Sequence, residues 1–172
     1  MKATVRTPTL PEPGVGLPAN IEAERVILGS ILLENARYAE VAAVLAETDF
    51  YLTAHQELFR IMGRMVAAGT AVDSVTLLEE LIHARRLQNI GGAVYCASLT
   101  EGLPRRIALP DYLRIVKEKA RLRELLAVFE QGWTRALASD APALDIGREA
   151  VRQLKGIFQE RKLANHPETL PK

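Results

Sequence analysis

The chain has 172 residues, 48% of them hydrophobic and 25% charged, which suits one globular domain with a proper core and excludes wholesale disorder. A formal net charge of +1 gives no global electrostatic case for nucleic-acid binding. The single cysteine, Cys96, excludes an internal disulfide and, beside Tyr95, Ala97 and Leu99, reads as a packed thiol in a reducing cytosol.

In chain order, Lys2 and Arg6 are followed by no apolar run before Pro8, Pro11 and Pro13, which argues against a signal peptide. The apolar stretches fall short of the ~20 residues a membrane span needs. A cytoplasmic protein with no membrane association is the expectation. Residues 1–17, rich in proline and glycine, read as a flexible arm. Asn20 caps a first helix with Glu22 and Glu24 in its opening turn and Ile27, Leu28, Ile31 and Leu32 at helical spacing. A second, short helix is expected over Tyr38–Ala46. Thr53-Ala-His-Gln56 has the form of a capping box that opens a third helix through Leu58, Phe59, Met62 and Met65, ending near Gly69.

Asp73 or Ser74 caps a fourth helix with Leu77, Leu78, Leu81 and Ile82 inward, and Gly91-Gly92 breaks the chain before a helical segment around Ala93–Leu99. After a connector punctuated by Pro104 and Pro110, one long helix is expected over Asp111–Leu137. Ser139-Asp-Ala-Pro142 then turns the chain into a last helix carrying Leu144, Ala150, Val151, Leu154, Ile157 and Phe158. Nothing reads as a strand. The fold class is all-α: a compact helical body (residues 18–102), a connector and long antiparallel helical hairpin (103–163), and a tail (164–172).

Catalytic patterns are missing. None of the eleven glycines precedes a lysine, so the phosphate-cradling G-x-x-x-x-G-K-[ST] loop is absent. His55, His83 and His166 lack ligand spacing, Glu22/Glu24 and Glu79/Glu80 are explained by helix starts and a solvated face, and no nucleophile–base arrangement stands out. No cofactor, metal or catalytic residue is expected. Between Leu103 and Arg123 the chain is locally basic, and Arg105, Arg106, Arg114, Lys117 and Arg121 form a candidate patch for DNA phosphates or an acidic partner, against a solvated face with ion pairs. The patch lacks interleaved aromatics, so any DNA contact is expected to be weak. Ile115, Leu122, Leu126, Phe129, Trp133, Leu154 and Phe158 give the hairpin more apolar surface than a small body can cover, so self-association through it is expected.

Six ordered motifs carry a family resemblance: Pro18-Ala-Asn-Ile-Glu-Ala-Glu24, Asp49-Phe-Tyr51, His55, Val72-Asp-Ser-Val-Thr-Leu77, Ile90-Gly-Gly-Ala-Val-Tyr95 and Asp111-Tyr-Leu-Arg-Ile-Val-Lys-Glu-Lys119. In order and spacing, over roughly residues 18–160, they resemble the N-terminal domain of replicative DnaB-type DNA helicases. The resemblance implies a non-catalytic collar domain that pairs through its hairpin, three pairs crowning a hexameric ATPase ring. It also implies docking of the C-terminal domain of primase, or of a helicase loader, with Glu22, Tyr95 and the hairpin face near Leu126 matching the family's docking positions. Tyr95→Ala is then expected to weaken primase capture and leave melting unchanged. ATP and Mg would belong to an ATPase domain that this sequence does not contain. The chain therefore reads as a fragment of a longer helicase or as a free-standing collar copy. Three residues depart from the family pattern: the connector arginines Arg105 and Arg106, and Gly132 inside the long helix. A free-standing DNA-binding regulator using the basic patch is the competing reading.

Overall fold

The computed structural model describes residues 16–164, so the expected arm and tail lie almost wholly outside the described residues. Among those residues there are seven α-helices, two short 3-10 turns and no strand.

Helix α1 (Ile21–Leu33) starts where Asn20 Oδ1 accepts the Ala23 amide at 3.0 Å, as expected of that cap. It runs through the centre of the body with nine of its 13 residues buried. Gly29 permits this, because a Cβ there would stand 2.2 Å from the Leu99 carbonyl oxygen. Helix α2 (Arg37–Ala42) is shorter than expected, and the chain continues through a 3-10 turn at Glu47–Asp49. Helix α3 (Thr53–Ala67) follows. Its N-cap is Leu52, and no side chain of the Thr53 tetrapeptide caps it. The capping-box reading fails here because the helix starts one residue early, with Thr53 already in its first turn and Leu52 at the cap position. The C-terminus behaves as read: Gly69 sits at φ +71° and the Thr70 amide bonds back to the Met65 carbonyl at 2.9 Å.

Asp73 caps α4 (Ser74–His83), accepting the Val75 and Thr76 amides at 2.8 and 2.9 Å while Thr76 Oγ1 accepts the Asp73 amide. Leu77 and Leu81 point into the core, but Ile82 is exposed, because α4 covers the body with a single narrow stripe. A 3-10 turn (Leu87–Ile90) and two left-handed glycines lead into α5 (Gly92–Ser98).

The long helix α6 (Leu109–Ala138) begins earlier than the proline suggested, with Pro110 inside its first turn, where the missing amide costs nothing. Leu109, Leu113 and Val116 belong to the same buried cluster as Ile27, Ile31, Phe50, Leu58 and Leu99, so α6 begins as part of the body core. Beyond Arg123 it leaves the body and packs against α7 (Ala143–Ala164). Ser139, at φ +50°, ends it at the hairpin turn.

Candidate protein-interaction site

Two sets of functional candidates emerge, a polar cluster inside the body and an apolar face on the hairpin. The polar cluster starts at Glu24, which shares a helical stripe with Ile27, Leu28 and Ile31 and is 1% exposed. Its carboxylate accepts the Tyr51 amide at 2.7 Å, lies 3.5 Å from the Leu52 amide and 2.6 Å from Nδ1 of His55. Glu24, from another helix, therefore holds the backbone that leads into α3. His55 is fully buried, and its Nε2 meets the Tyr95 hydroxyl at 2.6 Å. With Nδ1–H donated to the carboxylate, Nε2 accepts the phenol proton. Burial raises the Tyr95 phenol above its ordinary pKa.

Next to Glu24 on the helix, Arg25 points outward. Its guanidinium forks onto Glu22 (3.0 and 2.6 Å) and donates to the carbonyls of Ser98 (3.1 Å) and Glu101 (2.8 Å). The Arg25 hydrogen bond holds the Glu22 carboxyl below its usual range. Glu22 is exposed, whereas Tyr95 is half-buried with its polar end turned inward. The structure thus places two of the three expected docking positions, Glu22 and Tyr95, around one junction of α1, α3 and α5, and the third, Leu126, on the hairpin. It also overturns the expectation that Tyr95 can be truncated without affecting stability, since its hydroxyl partners a buried ring nitrogen.

A second junction ties the body to the hairpin. Asp49 is 3% exposed; its Oδ2 accepts the Ala46 amide and the Lys117 ammonium, both at 2.8 Å. Arg123 donates to the carbonyls of Pro18 (2.8 Å) and Asp49, and lies over the Tyr51 ring, 5.6 Å from its centroid. Lys117 is therefore a structural cation, and the proposed basic face of Arg114, Lys117 and Arg121 does not form as a free surface. Arg114 sits 3.8 Å from Asp111 in an exposed pair, Arg121 lines a hollow at the hairpin, and Arg105 and Arg106 are exposed on the connector.

The hairpin face is apolar and open. Leu122, Leu126 (39% exposed) and Phe129 (58%) lie on α6, with Trp133 partly buried on the same stripe. Phe158 (54%) and the partly buried Leu154 lie on α7, and Ile115 packs near the body. Leu122 and Phe158 line one hollow together with Leu125 and Ile157, so the two stripes meet on one side. Leu137, Leu144 and Val151 are at least half exposed, and the sequence reading did not count them among the self-association residues.

Sequence reasoning also missed Glu24, His55, Asp49 and Arg123. A signal existed for two of them. Glu24 and His55 each occupy the register of a buried apolar stripe, His55 with Leu58, Phe59 and Met62. A charged or polar residue there requires a buried partner.

These observations define an all-helical domain whose C-terminal hairpin carries an exposed apolar face. The chain belongs to the DnaB-like helicase N terminal domain family, which it matches over residues 16–118. It is 37% identical to the replicative DNA helicase DnaB of Geobacillus stearothermophilus over 148 residues, 84% of this chain and 32% of that helicase. It spans about a third of the length of the curated relatives it matches. The crystal structure of the N-terminal domain of DnaB helicase from Mycobacterium tuberculosis superposes with a TM-score of 0.75 at 29% identity, over 82% of this chain and 99% of that one. The structure of a DnaB-like replicative helicase and its interactions with primase shares the fold: TM-score 0.65, 19% identity, 88% of this chain and 36% of that one. No helix among the described residues is long and apolar enough to cross a membrane.

Proposed function

We propose that this chain is the collar module of a replicative DNA helicase, a non-catalytic part that self-associates through its hairpin and docks primase. The observation that carries this reading is the exposed apolar face of the hairpin. On α6 it repeats at Leu122, Leu126, Phe129 and Trp133, with spacings of four, three and four; on α7, Leu144, Val151 and Phe158 recur every seven residues. Heptad spacing is the pattern of helices that pack side by side at a shallow angle. A second copy of the hairpin, laid against the first, covers both stripes at once, and three such dimers complete a collar. ATP-driven unwinding then belongs to a separate ATPase domain, and the setting is the cytoplasm.

The partner part of the proposal rests on the likeness to the helicase solved with its primase interactions. Glu22, Tyr95 and the hairpin surface at Leu126 are the contacts proposed for the primase C-terminal domain, or for a helicase loader on the same face. The competing DNA-binding reading loses Lys117 to its contact with Asp49, and Arg105, Arg106, Arg114 and Arg121 remain of the patch for a weak phosphate contact.

Analytical ultracentrifugation tests the assembly half. Phe129→Asp and Val151→Asp, both at exposed sites, are expected to convert a dimer to a folded monomer, and the Trp133→Ala variant to shift it the same way. A wild-type chain that stays monomeric at high concentration refutes this half. For the docking half, Glu22→Ala is expected to weaken capture of the primase C-terminal domain at least about tenfold, one step of 1.4 kcal/mol; unchanged capture refutes that contact.

A further inference from the structure

Residues Gly91–Gly102 are attached to the body differently from its other segments. At one end Gly91 and Gly92 adopt φ of +96° and +81°, and at the other Gly102 adopts +63°. Both ends thus use backbone conformations that glycine alone reaches without steric cost. Between them α5 exposes Ala93, Val94 and Ala97, Val94 at 84%. Its only buried anchors are Cys96 and, at the C-cap, Leu99.

Tyr95 packs partly against the core, and polar contacts at two points complete the attachment. The Tyr95 hydroxyl is bonded to His55, with its ring laid over the imidazole at 6.0 Å between centroids. The Arg25 guanidinium holds the carbonyls of Ser98 and Glu101 at the far end, and Glu22 orients that guanidinium. Under this segment lie a fully buried imidazole and a carboxylate, groups that water would solvate well. Few apolar anchors, polar fasteners and glycine at both ends are the marks of an element that opens locally.

We propose that Gly91–Gly102 is a hinged flap that swings open as a unit when Tyr95 and Arg25 release it, while α1, α3 and α6 stay folded. Opening uncovers the Glu24–His55 pair and the Cys96 thiol. The flap requires no partner, so it stands independently of the docking proposal.

Cys96 is the only cysteine in the sequence, and its labelling by a small aromatic disulfide reagent reads the opening directly. In native buffer the thiol is expected to react faster than global unfolding allows, with a urea dependence well below that of the whole domain. Tyr95→Phe and Arg25→Met each remove fasteners and are expected to accelerate labelling by about tenfold, the effect of one lost hydrogen bond. Amide hydrogen exchange in α3 is expected to report an opening free energy well above that of Cys96 labelling, in wild type and variants alike. Should Tyr95→Phe fail to fold, Arg25→Met decides by the same criteria. The flap is refuted if wild-type Cys96 reacts only at the global unfolding rate. It is equally refuted if the folded variants label no faster than wild type, or if α3 amides report the same opening free energy as Cys96.

Discussion

Lys117 Nζ lies 2.8 Å from Asp49 Oδ2, joining residues 68 positions apart, with the acid almost completely buried and the base 21% exposed. The pair fastens the long helix to the body at the point where α6 leaves the core.

Removing one member of a buried pair strands the other in a medium that solvates it poorly. Lys117→Met is therefore expected to cost about 3 kcal/mol, measured by urea denaturation at neutral pH. Arg114→Met removes only an exposed pair with Asp111 and is expected to cost less than about 1 kcal/mol. Equal losses for the two variants would mean that the Asp49 site is as well solvated as the surface.

The Glu24–His55–Tyr95 chain makes a graded prediction. Tyr95→Phe leaves one buried ring nitrogen unpaired and is expected to cost about 1–3 kcal/mol. His55→Ala takes a partner from both neighbours, although Glu24 keeps the Tyr51 amide, and opens a cavity, so its loss is expected to exceed that of Tyr95→Phe. Chemical denaturation of the two variants gives the order, and a smaller loss for His55→Ala would show that water fills the site and satisfies Glu24.

Burial pushes the Cys96 thiol up to about 11 from 9.0. The unfolded chain then releases this proton first as pH rises, so the stability that the neutral thiol contributes is intact below pH 9 and declines toward pH 11. Other groups titrate in the same window, and Cys96→Ala serves as the reference. The stability difference between wild type and Cys96→Ala is expected to shift against the wild type across this range. A difference independent of pH would place the thiol in contact with water.

Two glycines predict opposite signs. At Gly29 a Cβ meets the Leu99 carbonyl oxygen at 2.2 Å, backbone that cannot step aside cheaply, so Gly29→Ala is expected to destabilise by about 1–3 kcal/mol. At Gly132 a Cβ meets nothing within 4 Å, and the helix interior favours alanine, so Gly132→Ala is expected to stabilise by about 1 kcal/mol. Thermal melts at fixed protein concentration check both, and a Gly132→Ala variant that melts lower would mean that a partner copy approaches that position closely.

Much of the fold was legible because helices leave a local record. The Asn20 and Asp73 caps, the Gly69 stop and the buried stripes of α1 and α3 all follow from residues within a few positions of one another. The misreadings share one cause. Thr53 was assigned as a cap because it stands in the right local pattern, yet the helix starts at Thr53 itself, and Glu24, 27 residues before Tyr51 and on another helix, holds the backbone that leads into it. Lys117 was counted with a solvent-facing patch because its charge is local information and its buried partner is not.

By itself, the sequence determined an all-helical chain, the order of its helices, most of their ends and the excess of apolar surface on the hairpin. All of these depend on interactions between near neighbours along the chain, which periodicity and capping chemistry report directly. Tertiary structure alone decided which polar residues meet: Glu24 with His55 across 31 residues, His55 with Tyr95 across 40 and Asp49 with Lys117 across 68. A buried charge or hydrogen-bonding group must find a partner, but its own position in a helical stripe states only that need. Which residue meets it is set by how the helices pack, since that packing alone brings side chains so far apart in sequence within 3 Å of one another.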